Sequence, residues 1–179
     1  MLSVERFTIA GREVWIGVLF GERIHGITFS LDGRDYLKER IASLRSFLER
    51  RGVEVELVPK ESVYPKLVHD VLVGRRDNDE LLGELSFHGI TDFERQVYEW
   101  LTKRVKRGRV VMYGELAKTL GTSPRAIGGA MKRNPYPIVV PCHRVVAQGG
   151  LGYYTPKLEY KICLLKLEGV EEWTSSKLI

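Results

Sequence analysis

Cysteine and side-chain amides are scarce in this chain of 179 residues: Cys142 and Cys163 are its two cysteines, and Asn78, Asn134, Gln96 and Gln148 its four amides. Two thiols 21 residues apart, both in the second half, make no disulfide framework, and no C-x-x-C pair exists to begin a zinc site. No metal is expected. Long apolar runs are missing too: none approaches the roughly 20 residues that span a bilayer. The opening stretch Met1 to Ala10 carries Glu5 and Arg6 where a signal peptide needs apolar residues, so a cytoplasmic protein with no membrane association is expected. The shortage of amides beside abundant Lys, Arg and Glu resembles a thermophile's composition. Against these absences, 44% hydrophobic and 28% charged residues describe a chain that can bury enough apolar surface to fold, in one large or two small domains.

The charge is unevenly placed. Residues 1–88 hold 13 Lys/Arg and 15 Asp/Glu, net −2, whereas residues 89–179 hold 15 and 8, net +7, which together return the overall +5. From Lys103 to Arg144 there are ten basic residues and one acid, Glu115. Such a one-sided field attracts a polyanion such as nucleic acid, although a solvated basic surface has the same composition.

The first half reads as a small α/β unit. Arg6 to Ile9, Val14 to Phe20 and Ile24 to Phe29 are β-rich and separated by Gly11 and by Gly21-Glu22, as in a meander. Val53 to Leu57 alternates at period two and predicts a further strand. Leu37, Ile41, Leu44 and Leu48 recur at helical spacing with Gly52 as a stop, and a short helix starts at Pro65. His25, His69 and His88 stand alone, without clustered cysteine or carboxylate, and are read as structural or surface residues.

The boundary falls at residues 88–91, dividing the chain into 1–88 and 89–179. Thr91-Asp92-Phe93-Glu94 has the capping-box pattern. It opens a helix with Phe93, Val97, Trp100, Leu101 and Val105 on one face and basic residues gathered at its end. Gly114 to Leu120, the turn Gly121-Thr122, and Ser123-Pro124 opening a second helix to about Lys132 have the spacing of a helix-turn-helix. In that second helix Ala126, Gly128, Gly129 and Ala130 are small. Each helical glycine costs about 1 kcal/mol relative to alanine. Either a partner's backbone comes close or two helices of this domain pack tightly; the residues alone leave both open.

Ile138 to Val140 looks like a short buried strand leading into Pro141-Cys142-His143-Arg144-Val145. A nucleophilic cysteine reacts as thiolate and needs a base and a positive setting. His143 can take the proton, through a water if the segment is extended and adjacent side chains diverge, and Arg144 adds positive charge. A buried inert cysteine is the alternative on composition alone.

The run Pro141 to Val145, set behind Arg125-Ala126-Ile127-Gly128-Gly129-Ala130-Met131 and Asn134-Pro135, resembles the active-site signature of the O6-alkylguanine-DNA alkyltransferases, also called methylated-DNA-protein-cysteine methyltransferases. The resemblance runs from about Thr91 to Gly169 and is most like archaeal members; the first half matches the family's variable amino-terminal domain only in size and element pattern. It implies an α+β fold: an α/β support domain with an antiparallel sheet, then a mostly helical domain with a winged-helix-like helix-turn-helix. It implies a monomer, associated with the nucleoid, that binds duplex DNA carrying O6-alkylguanine in the minor groove and flips the lesion out. The alkyl group, from guanine or from O4-alkylthymine, passes to Cys142 in one self-inactivating event without a cofactor.

The resemblance also assigns roles. His143 deprotonates Cys142 through water, Glu168 orients His143, Tyr113 donates to the departing guanine, and Asn134 ties the recognition helix to the active-site loop. Arg125 fills the vacated stack, Ala126 and Gly128 lie on the small face toward the groove, and Lys132 adds to the DNA-binding surface. Tyr154 packs on the base, the Thr155 amide bonds its oxygen, and the carbonyls of Val145 and Cys142 accept from its exocyclic amine. The stretch from Val146 to Gly152 is one residue shorter than in human-like relatives, and Tyr153 and Pro156-Lys157 replace smaller residues. Some relatives hold zinc through paired cysteines in the first domain; residues 1–88 contain none. Read without the resemblance, Tyr113 is a half-buried core tyrosine, Glu168 a surface carboxylate near the end of a helix begun at Thr155-Pro156 with Leu158, Ile162 and Leu165 as its core face, and Cys163 a packing residue. Three other functions fit less of the sequence. A non-catalytic lesion sensor has no need of Cys142, and a helix-turn-helix regulator of the major groove would want base-reading amides on its second helix. A Cys-His hydrolase would leave the basic field unexplained.

Overall fold

The computed structural model describes residues 1–171. Strands β1 (Leu2–Ile9), β2 (Arg12–Phe20) and β3 (Ile24–Ser30) form an antiparallel meander in that order. The first hairpin turns on Ala10 and Gly11, at φ 50° and 76°, the left-handed pair that a two-residue hairpin requires. Both faces of β2 are covered, so its sequence is apolar almost without alternation. Val14, Ile16, Val18 and Phe20 point into the main core, while Leu19 packs under α1 (Arg34–Arg50) with Leu37, Ile41 and Leu48. Gly26 permits this seat, because a Cβ there would lie 2.9 Å from Leu44. Helix α2 (Tyr64–Leu72), opened by Pro65, covers the other face.

The predicted strand at Val53 to Leu57 is absent. The alternation is real, with Val53 and Val55 buried and Glu54 and Glu56 exposed, but the segment bonds β1 only at Leu2, through the Val58 carbonyl and the Lys60 amide. Its apolar side packs on the α1 cluster. Period two reports which side is dry; it does not supply a partner strand.

Helix α3 (Asp92–Arg104) opens with the expected capping box, Thr91 accepting from the Glu94 amide and Glu94 from the Thr91 amide. Then come β4 (Val111–Met112), α4 (Tyr113–Leu120), a turn at left-handed Gly121, and α5 (Pro124–Lys132), which is capped by Ser123. Tyr98, fully buried on α3, donates to the Ala130 carbonyl at 2.7 Å and fixes α5 from behind. Strand β5 (Val145–Val146) pairs parallel with β4, and α6 (Leu158–Leu167) closes the described chain.

Two further expectations are corrected. Ile138 to Val140 is buried but is a set of turns. Ile138 stands at φ 74°, and the Asn78 side chain, 60 residues away, donates to the Ile138 and Val139 carbonyls at 2.8 and 3.0 Å. Helix α6 starts at Leu158, not Thr155, and buries Tyr160, Lys161, Leu164 and Leu165; of the predicted face only Leu165 is buried.

The halves are joined by more than a linker. One core cluster draws residues from both. The Ile27 amide donates to the Pro135 carbonyl at 2.8 Å, and the Tyr160 hydroxyl accepts from the Leu31 amide and donates to Asp32. Glu94, with 2% of its side chain exposed, takes Arg51 of the first half at 2.6 Å and Arg133 of the second at 2.8 Å. Together these contacts hold α1 and β3 against the loop that carries the cysteine.

Candidate active site and nucleic-acid face

Cys142 lies in a 3-10 turn, Cys142–Arg144, not in an extended segment. The thiol is buried at the floor of a cavity of about 510 Å³ whose walls include Tyr113, Asn134, Tyr154 and Thr155, with Arg125, Gly128 and Lys132 of α5 on one side. Burial pushes the thiol pKa up; Asn134, Lys161 and Tyr154 act against it, each favouring the thiolate. The resting group is therefore a thiol that has to be deprotonated before it can attack.

His143 follows it in the same turn. His143 is buried, and its Nε2 bonds Glu168 Oε1 at 2.8 Å. Desolvation lowers the imidazole pKa despite that carboxylate, so the ring is neutral at pH 7. With Nε2–H donating to Glu168, Nδ1 is the basic atom, and it is buried without a protein partner. Glu168, the residue ending α6, is itself held ionised: burial raises its pKa, but His143 and Arg144 outweigh that and bring it to about 2.

Arg144 does not add free positive charge to the thiol. It is fully buried, grips Glu168 with Nε at 2.8 and 3.0 Å and Nη2 at 2.7 Å, and donates to the Val105 carbonyl and to Asn78. Its charge neutralises Glu168. The cation that the thiol feels is Lys161, which the sequence reading passed over. Lys161 is buried on α6, bonds the Val145 carbonyl at 2.6 Å and the Tyr153 carbonyl at 3.2 Å, and has no carboxylate partner among the described residues. Burial brings its pKa down to about 8, while Cys142 resists that fall. A signal existed: Lys161 lies three and four residues before Leu164 and Leu165, on the buried face of α6. Asn78 was a second omission, visible only as one of four amides in the chain.

The remaining expected site residues converge. Tyr113 begins α4, and burial and the neighbouring Cys142 raise its phenol pKa, which keeps it protonated and able to donate. Gly152, at φ 77°, lets the 148–155 loop come close, since a Cβ there would meet the Tyr113 ring at 2.9 Å. Asn134 donates to the Val140 carbonyl at 3.0 Å and accepts from the Tyr136 amide at 2.9 Å, while its own amide bonds Met131, joining the end of α5 to the cysteine loop. Tyr154 is buried, its hydroxyl without a hydrogen-bond partner among the described residues, whereas Thr155 is exposed; both line the cavity. The Val145 and Cys142 carbonyls already accept from Lys161 and from the Val145 amide, leaving one lone pair each for a ligand. Cys163 is half-buried on α6, away from these groups.

Four of the ten basic residues between 103 and 144 are engaged within the protein. Lys106 pairs with Asp77 and Asp79, Arg107 binds carbonyls of residues 71, 72 and 167, Arg133 pairs with Glu94 and Arg144 with Glu168. Lys103, Arg104, Arg109, Lys118, Arg125 and Lys132 remain exposed with no ion pair among the described residues. On α5, Arg125 is exposed and Gly128 has open space where a Cβ would stand, so the α4–α5 packing does not account for that glycine. Gly129 is different: a Cβ there would meet the Arg133 guanidinium at 2.9 Å.

Known proteins share this sequence and fold. Residues 92–170 match the family model described as 6-O-methylguanine DNA methyltransferase, DNA binding domain, and residues 1–86 match that of methylated DNA-protein cysteine methyltransferase, N-terminal. A methylated-DNA–protein-cysteine methyltransferase of Thermococcus barophilus is 63% identical over 98% of this chain and 100% of its own length. The crystal structure of an O6-methylguanine-DNA methyltransferase from the hyperthermophilic archaeon Pyrococcus kodakaraensis superposes with a TM-score of 0.93 at 59% identity, covering 95% of this chain and 100% of that one. A Mycobacterium tuberculosis OGT solved in complex with DNA shares the fold, with a TM-score of 0.64 at 24% identity over 93% of both chains. The two family models and the full-length relatives together define a DNA alkyl-transfer protein. This chain belongs to the methylated-DNA–protein-cysteine methyltransferase family.

Proposed function

We propose that this protein repairs DNA by taking the alkyl group of O6-alkylguanine onto Cys142, once per molecule. The observation that carries this reading is the buried Cys142 thiol at the floor of the cavity beside α5, with a neutral His143 tied to an ionised Glu168. In the reaction His143 Nδ1 takes the thiol proton through one water, and the thiolate attacks the alkyl carbon. The S–C bond forms as the C–O6 bond breaks, and the electron pair leaves on guanine. Tyr113 donates to the ring as that charge develops. The product is a thioether, which no group in the site can reverse, so the protein is a stoichiometric reagent. Lys161 and Asn134 favour the thiolate and position the loop. The same chemistry extends to O4-alkylthymine, and it needs no cofactor.

Six exposed cations and the open face at Gly128 support duplex DNA as the partner, with α5 seated in the minor groove and Arg125 filling the place of the flipped nucleotide. Tyr154 would pack on the flipped base and the Thr155 amide would bond its oxygen. Residues 1–88 are the support domain and 89–179 the reacting domain, acting as a monomer in the cytoplasm, on the nucleoid; no described helix is long and apolar enough to cross a membrane.

The test is mass analysis after incubation with a duplex containing O6-methylguanine. The Cys142 peptide gains one methylene equivalent, and Cys142→Ala gains none. Tight binding with unchanged mass would instead make the protein a lesion sensor, and equal binding to undamaged duplex would favour a regulator.

A further inference from the structure

The cavity does not end at Cys142. Its lining also takes in Pro135 and Pro137 of the cysteine loop and Arg40, Ser43, Leu44 and Phe47 of helix α1. These four stand at i, i+3, i+4 and i+7, one face of the helix. The wall is fixed in place: Leu44 sits on Gly26 of β3, the Ile27 amide is bonded to Pro135, and Arg51 lies over the Phe47 ring at 4.8 Å. A volume near 510 Å³ lies in the range of pockets that hold drug-sized molecules, more than one base and a methyl group require.

One charge marks this extension. Arg40 is half-buried, has neither an ion pair nor a side-chain hydrogen bond among the described residues, and lies close enough to Tyr154 for its charge to favour the ionised phenol. Tyr154, whose buried hydroxyl has no hydrogen-bond partner among the described residues, in turn favours the thiolate of Cys142. The wall is thus apolar through Leu44 and Phe47 and cationic at Arg40.

Building on alkyl transfer to Cys142, we propose that α1 of the first half selects the adduct: this groove receives alkyl chains longer than methyl, and Arg40 favours those ending in a carboxylate. The S–C bond forms and the C–O6 bond breaks as in methyl transfer; only the tail differs, extended along α1 with its anion at the guanidinium.

The experiment compares single-turnover transfer to the full-length protein from duplexes carrying O6-methyl-, O6-butyl-, O6-(3-carboxypropyl)- and O6-(4-aminobutyl)guanine. The carboxylate should react about fivefold faster than the amine, the size expected for a partly screened pair. Arg40→Glu should reverse that order, and Ser43→Trp, which fills the groove, should slow butyl relative to methyl about tenfold, methyl transfer staying within about twofold in both. The proposal is overturned if carboxylate and amine react alike, if Arg40→Glu leaves their order unchanged, or if Ser43→Trp slows methyl and butyl together or neither. Absence of methyl transfer by the unmodified protein would instead refute alkyl transfer itself, so the two failures are distinct.

Discussion

Apart from His69–Asp70 and Arg51, the ion pairs of the first half lie largely at its surface, whereas the second half buries a charged cluster at its centre. Ion pairs such as Arg6–Glu13, Lys38–Asp35 and Arg45–Glu49 leave 41–100% of their side chains exposed, where solvent and salt reduce such pairs to a few tenths of a kcal/mol. In the second half His143, Arg144 and Glu168 expose 2–4%. Burying three ionisable groups together is a poor route to stability, since desolvation opposes the Coulomb gain. What it supplies is a neutral, oriented histidine one residue after the cysteine. The contrast separates charge that solvates a scaffold from charge that prepares a reaction. Glu94 stands between the two kinds: it is buried, yet its partners are one arginine from each half.

The largest expected effect tests the contrast directly. Glu168→Gln removes the carboxylate that balances Arg144, and should cost about 3 kcal/mol in denaturant unfolding. Glu49→Gln, breaking an exposed pair, should cost less than about 0.5 kcal/mol. Equal losses would dissolve the distinction. Glu94→Gln should destabilise like Glu168→Gln but leave the rate of alkyl transfer in the folded protein intact.

Acid should show the same thing without mutation. Glu94 and Glu168 have folded pKa values of about 2 against 4.5 for the ordinary carboxyl. Between those values the unfolded chain holds more protons than the folded one, so the stabilisation is complete above about pH 4.5 and is lost as pH falls toward 2. Melting temperature followed from pH 6 to pH 3 should therefore drop, and less steeply in either Gln variant.

Smaller effects divide the second half into chemistry and DNA contact. Tyr113→Phe should slow transfer roughly 100-fold, the loss typical of one donor to a developing anion, with duplex binding unchanged. Arg125→Ala should slow transfer from duplex DNA about tenfold while leaving reaction with a free alkylated base near its normal rate. Equal losses in the two assays would remove Arg125 from the stack-filling role.

What could be read from the sequence follows the range of the interactions involved. The capping box at Thr91 and Glu94, the Ser123-Pro124 start of α5 and the Pro65 start of α2 depend on residues three or four apart, and each stands where the pattern placed it. Ile138 to Val140 read as a strand because its apolar run is consistent with one, whereas its left-handed turn is held by Asn78 from a distant part of the chain. Val53 to Leu57 had the right dry side and no neighbour to pair with. At the site, the resemblance supplied Cys142, His143, Glu168, Tyr113 and Asn134; in the structure Tyr113, Asn134 and Cys142 line one cavity, and His143 is bonded to Glu168. It did not supply the division of labour between cations. Arg144, adjacent in sequence to the Cys-His pair, is turned away to Glu168, and Lys161, 19 residues after Cys142, is the cation that favours the thiolate. The wall made by α1 was beyond reach from sequence, because it depends on how the two halves are docked.

The central claim is that Cys142 accepts one alkyl group and then stops. Titration of the protein with a molar excess of duplex containing O6-methylguanine labelled in the methyl group measures this directly. The account predicts that label transfer ends at one equivalent per chain, all of it on Cys142. Continued turnover beyond one equivalent, or bound duplex with no label transferred, would contradict it.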